Sequence, residues 1–243
     1  RGTSHYFHGT AIAMLTDTLS QHAALKPLED RNAVVCRLTV SAEGEVTQAE
    51  IVLALVQSKA KLSYPEVEDV LQEKAPHPFT DELSHLQNCF RALRQRREAC
   101  ELVIEHRPEH RWIMNDEKQI SSIERVEKKS SQLLVEECMV AANRAIANAL
   151  KEAQRPGPFV THAGIRRDRA EEAQEFLKRY QPDLEGLEFS TLEGFRTLIT
   201  ALNASRDERP LRSMVNRLMA RASLSIKPAP HMGMALSLYT NGT

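Results

Sequence analysis

From Ser131 to Gln154 the chain holds its densest run of Ala and Leu, with neither proline nor glycine inside it, and Pro156-Gly157-Pro158 stops it. Alanine and straight-chain residues lose least on entering a helix, so the composition predicts one long helix over roughly 131–154. Leu134, Cys138, Ala141, Ala145 and Ala149 recur on one face of that helix. An apolar stripe of this length has to be covered along one side, and the rest of the fold must supply the cover.

The flanking segments predict both strands and helices. Residues 32–40 and 45–57 are rich in Val, Ile, Leu and Thr, and the turn residues Ser41-Ala42-Glu43-Gly44 between them predict a hairpin. Pro65 is expected to open a short helix over 65–73. Thr80 is expected to cap a longer one whose stripe is Leu83, Leu86, Phe90 and Leu93. Leu102–Ile104, Arg111–Met114, Gln119–Val126 and Phe159–His162 read as strands. Asp168 then caps a helix bearing Phe176 and Leu177, Ser190 and Glu193 form a capping box for the next, and Pro210 starts a third. Met232–Tyr239 reads as a last strand. The expected fold is α+β, a mixed sheet with packed helices concentrated in the second half. No internal repeat divides residues 1–243, which read as one domain.

With 243 residues the chain can bury a real core, and no apolar run is long enough to span a bilayer. Cys36, Cys89, Cys100 and Cys138 form no Cys-x-x-Cys pair and no cluster with histidine, so reduced thiols rather than zinc are expected. A net charge of −1 is low for a protein that grips nucleic acid over a whole face. Any such site would have to be a local channel.

The chemistry-bearing residues fall in a few short stretches. On the long helix Glu136 and Asn143 stand at i and i+7, so a carboxylate and an amide share a face. Together they could accept from and donate to a ribose 2′-hydroxyl. Tyr6 and Tyr64 are two of only four tyrosines, and aromatic faces stack on bases of any sequence. Lys59 and Lys61 lie just ahead of Tyr64, where they could meet phosphate. On residue type alone, each could equally be a solvated charge or a half-buried ring. His162 and His231 lack an acidic or thiol partner at a useful spacing and read as structural. The arginines Arg94, Arg96 and Arg97, and Arg166 to Arg169 apart from Asp168, read as solvated helix-end charges.

Taken in order, the stretches Arg1-Gly2-Thr3-Ser4-His5-Tyr6-Phe7, Ser58-Lys59-Ala60-Lys61-Leu62-Ser63-Tyr64, Val135-Glu136-Glu137-Cys138-Met139-Val140-Ala141-Ala142-Asn143 and His231-Met232-Gly233-Met234-Ala235-Leu236-Ser237-Leu238-Tyr239-Thr240 resemble the catalytic domain of the ribonuclease II / ribonuclease R family of exoribonucleases. The resemblance covers nearly the whole chain. It implies an RNB-type fold and processive 3′→5′ hydrolysis of single-stranded RNA to nucleoside 5′-monophosphates with Mg²⁺, by a cytoplasmic, monomeric enzyme. It also implies that Tyr6 stacks near the 3′-terminal nucleotide, that Tyr64 lies along the RNA channel, and that Glu136 contacts a ribose 2′-hydroxyl. Ile104 falls where the family usually has Phe, so the clamp on the terminal base is expected to be weaker. Met14-Leu15-Thr16 and Ala23-Ala24-Leu25 also depart from the family pattern. The family's aspartate cluster is expected just ahead of Arg1 and its arginine motif just after Thr240, with no complete β-barrel RNA-binding domain in 1–243. This chain is therefore expected to line the channel and grip the 3′ end without holding the metal ions, and to be inactive alone. The alternative expectation is an inactive RNA-binding or scaffolding relative.

Overall fold

The structure, a computed structural model, describes residues 3–7, 10–101, 109–115, 117, 119–204 and 208–242. Two short strands, β1 (His5–Phe7) and β2 (Thr10–Ile12), form a hairpin and lead to a short helix, α1 (Asp17–Ala23). Next comes the long hairpin of β3 (Asp30–Val40) and β4 (Val46–Gln57). Its turn depends on Gly44, which has φ +77°, and a Cβ there would come within 2.1 Å of the Ala92 carbonyl oxygen. Only glycine lets the hairpin tip sit that close to the helix beside it.

That helix is α3 (Thr80–Cys100), which follows α2 (Tyr64–Leu71). The hairpin β5 (Glu109–Met114) and β6 (Ile120–Val126) then delivers the chain to α4 (Ser130–Glu152), the long helix read from the Ala/Leu run. After β7 (Phe159–Thr161) come α5 (Ala170–Tyr180), α6 (Leu192–Ala204) and α7 (Glu208–Leu218), and β8 (Ser223–Ser225) pairs back on β7. The α+β class holds. The single mixed sheet does not form: among the described residues the strands make four separate two-stranded antiparallel sheets, because each strand pairs with its sequence neighbour or, for β7, with β8.

The core divides in the same way. The largest apolar cluster joins α5, α6 and α7 around Phe195, Leu198 and Leu202, none of which retains solvent exposure. Two smaller clusters seat the segment after residue 232 on α4, through Val140, Met234 and Leu236 and through Ala147, Phe159 and Leu238. Val140 and Ala147 lie off the stripe read from the sequence, on the Glu136–Asn143 side of α4, and α4 packs as well against α2, α3 and the β3–β4 hairpin.

Several local expectations changed. Thr80 opens α3 but does not cap it, since its hydroxyl donates to the His77 carbonyl at 2.7 Å instead. Ser63 caps α2 in a capping box with Glu66, which puts Pro65 second in the helix. Asp168 lies in a 3₁₀ turn ahead of α5 and caps nothing. For α6 the cap is Thr191, which accepts from Gly194 N at 3.1 Å, while Ser190 turns to Glu188. The Met232–Tyr239 strand is replaced by a 3₁₀ turn, Met232–Met234, with Ala235 at φ 51°, so the chain folds back and His231 N reaches Leu236 O at 2.8 Å. The strand expected at Leu102–Ile104 lies outside the described residues.

Candidate RNA-contact surface

The residues singled out from the sequence do not line a closed pocket. A cavity of about 550 Å³ lies between the β3–β4 hairpin, α3 and α4, and among the described residues none of Tyr6, Lys59, Lys61, Tyr64, Glu136 and Asn143 borders it. Of those described, Tyr6 stands on the β1–β2 hairpin, Lys59 and Lys61 on the segment that leads to α2, Tyr64 on α2, and Glu136 and Asn143 on α4. Tyr6 pairs with Ala11 across the β1–β2 hairpin and is 81% exposed. The hairpin is tied to the next segment where Ser4 Oγ accepts from Met14 N at 3.0 Å.

Beyond β4 exposure alternates through Leu62, with Ala60 and Leu62 half-buried and Lys59 and Lys61 exposed. An extended backbone alternates its side chains, so the two lysines share the outer side. The start of this stretch is pinned by Leu28 N donating to Ser58 O at 2.8 Å, and its end by the Ser63 cap. Tyr64 is the first residue of α2 and is exposed. Ile104 lies outside the described residues.

The adjacent carboxylates of α4 divide sharply. Glu137 is fully buried and takes Arg97 Nη1 at 2.7 and 2.8 Å on its two oxygens, with Arg94 Nη1 at 3.2 Å. Glu136, about 100° further round the helix, is half-exposed and receives Lys128 Nζ on Oε2 at 3.0 Å. Arg97 is thus not a solvated helix-end charge. The sequence signal for this pair was available: Glu137 stands three residues after Leu134 and four before Ala141, on the side that must be buried. A carboxylate there requires a buried cation.

Asn143 requires a correction. It does lie along the same line of α4 as Glu136, but it is 2% exposed. Its Nδ2 donates to Tyr239 Oη at 3.1 Å and its Oδ1 accepts from Gly242 N at 2.9 Å. Periodicity put the two residues on one face, and the 239–242 segment covers only the Asn143 end of it. Asn143 therefore holds that segment against α4.

Other polar residues are paired within the fold. Glu68 of α2 accepts from Ser131 N at 3.0 Å and from Gln72 Nε2 at 2.7 Å. Desolvation works against the Glu68 carboxylate, yet these donors outweigh it and hold the pKa below the ordinary glutamate value. His162 and His231 stack with ring centroids 5.4 Å apart, His162 Nδ1 accepts from Gly164 N, and Tyr239 meets His231 edge-on. Burial pushes the pKa of both imidazoles down. On Cys138, burial first and the neighbouring Cys89 and Glu137 next push the thiol pKa up, which disfavours the reactive thiolate.

Among the described residues no three or more His, Cys, Asp or Glu side chains converge as a metal site would need, so they do not by themselves fit a magnesium centre. No helix among them is long and apolar enough to cross a membrane.

Exposed Tyr6 and Tyr64, two outward lysines and a partly exposed Glu136 stand on the surface of an α+β domain. The chain belongs to the RNB domain family, whose model matches residues 1–243. Exoribonuclease 2 of Escherichia fergusonii is 31% identical over the whole chain, which spans 39% of that relative's length. Ribonuclease R of Vibrio parahaemolyticus is 28% identical over the whole chain, which spans 30% of it. Among solved structures, Mycoplasma genitalium RNase R in complex with ribose-methylated single-stranded RNA aligns over 98% of this chain and 38% of its own, with TM-score 0.83 and 19% identity. A yeast pseudonuclease aligns over 98% of this chain and 30% of its own, with TM-score 0.67 and 13% identity. At these identities the two structures establish the shared fold.

Proposed function

We propose that this chain is the RNA-gripping part of a 3′→5′ exoribonuclease that degrades single-stranded RNA processively to nucleoside 5′-monophosphates. The observation that carries the reading is the division of the Glu136-Glu137 pair. One carboxylate is locked into the α3–α4 interface, and its neighbour is held at the surface, where it can accept from a ribose 2′-hydroxyl. In this reading Tyr6 and Tyr64 stack on bases, Lys59 and Lys61 meet phosphates, and Ile104 packs on the terminal base without a π-face. Asn143 acts indirectly, by seating the 239–242 segment against α4. The RNA complexes solved for Mycoplasma genitalium RNase R, one with single-stranded and one with double-stranded RNA, support RNA as the ligand class. Magnesium is proposed as the cofactor of the whole protein, with ligands outside this chain, and the protein as a cytoplasmic monomer.

A second reading, an RNA-binding or scaffolding relative without catalysis, draws on Ile104 standing where the family usually has Phe. It also draws on the pseudonuclease that shares this fold. Incubation of 5′-labelled single-stranded RNA with Mg²⁺ separates the two. The full-length protein is expected to shorten the RNA from its 3′ end, while this chain alone leaves it intact. Binding without shortening by the full-length protein would favour the second reading. Shortening by this chain alone would overturn the placement of the metal ligands outside it.

A further inference from the structure

Lys128 occupies a position that helix electrostatics disfavours. It lies between β6 and α4, one residue ahead of the helix N-cap Lys129, and the first turn of α4 carries no acidic residue. A helix N-terminus holds partial positive charge, so an ammonium beside it is repelled rather than attracted. The adjacent carboxylate does not compensate, because Glu127 is taken by Arg125 Nη2 at 2.8 Å. Lys128 reaches instead along α4 to Glu136, Nζ to Oε2 at 3.0 Å, with both side chains about one-third exposed. Two features fix this geometry. Lys129 N donates to Gln132 Oε1 at 2.9 Å, which anchors the backbone beside Lys128 to the helix start. Cα–Cβ bonds on a helix tilt toward its N-terminus, so Glu136 leans back toward the lysine.

We propose that Lys128 is a positioning residue for RNA-over-DNA discrimination: by donating to Oε2 it sets the rotamer of Glu136 and makes the carboxylate an acceptor for the ribose 2′-hydroxyl, without touching RNA itself. The inference rests on the reading of Glu136 given above. A carboxylate has acceptor capacity for more than one donor, so the ammonium and a hydroxyl can be served together.

The test is equilibrium binding of the full-length protein to labelled single-stranded RNA and DNA of one sequence, in EDTA so that no turnover intervenes. Glu136→Gln and Lys128→Met are each expected to lower the RNA/DNA affinity ratio by about tenfold, the loss of one charge-assisted hydrogen bond. The double variant loses no more than Glu136→Gln alone, and Lys128→Arg keeps the ratio. A structural lesion would weaken both polymers and leave the ratio unchanged. Equal loss on RNA and DNA in Lys128→Met would make Lys128 a phosphate contact and overturn the inference. An unchanged ratio in Lys128→Met beside a lowered one in Glu136→Gln would overturn it while leaving Glu136 in place. An unchanged ratio in Glu136→Gln would instead remove the role given to Glu136.

Discussion

Phe195 and Leu53 are both large apolar side chains in regular structure, yet Phe195 is sealed from solvent and Leu53 is 87% exposed. The contrast runs through the molecule. In the α5–α7 region each amphipathic helix buries its stripe against helices close in sequence. In the hairpin region Leu53, Leu55 and Trp112 face outward, as Tyr6 does on the β1–β2 hairpin. The α5–α7 region is built as a scaffold, and under the proposed function the ligand contacts come from the rest of the chain, Tyr6 on a hairpin, Tyr64 on α2 and Glu136 on α4. Binding groups concentrate on elements held by a scaffold but not consumed by it.

If that division is correct, Phe195→Ala should cost about 4 kcal/mol of stability, and Leu53→Ala should stay within about 0.5 kcal/mol. Urea unfolding of the two variants checks this, and equal costs would erase the contrast. Glu137→Ala should come next, at about 3 kcal/mol, because it leaves Arg97 buried without its partner. A cost below about 1 kcal/mol would show that water reaches the α3–α4 interface. Tyr64→Ala should leave unfolding unchanged and weaken single-stranded RNA binding by about 2 kcal/mol. Unfolding destabilised along with binding would move Tyr64 into the scaffold.

The smallest effect concerns pH. Burial depresses the pKa of His162 and His231 in the folded chain. Above the unfolded value of about 6.5 both states are neutral and the contribution is fully present. As pH falls through that value the unfolded chain takes up protons that the folded chain resists, so stability is lost. Thermal unfolding between pH 7.5 and pH 5 should show the decline, and His231→Gln should flatten it.

Parts of this organisation were legible because they rest on local chemistry. The Ala/Leu run gave α4, the turn residues gave the β3–β4 hairpin, and the order of short stretches pointed to the family. Errors arose where a choice between neighbours depended on packing. Ser190 and Thr191 can each cap a helix, and only the backbone path selects Thr191. Met232–Tyr239 alternates like a strand, but His231 and Leu236 bond each other across a tight turn. Glu136 and Asn143 shared a face by periodicity, and the 239–242 segment then covered one of them.

The sequence by itself determined α2 to α7, the β3–β4 and β5–β6 hairpins, the α+β class and the family, because propensity, turn chemistry and motif order act over a few residues at a time; β1, β2, α1 and β8 were not read from it. Only the tertiary structure decided that Arg97 is the cation that meets the buried Glu137, and that Asn143 holds the 239–242 segment. Those outcomes depend on residues 40 or more positions apart, Arg97 with Glu137 and Asn143 with Tyr239. Which partner reaches a buried group is set by what the folded chain brings alongside, and a pattern over a few residues does not name it.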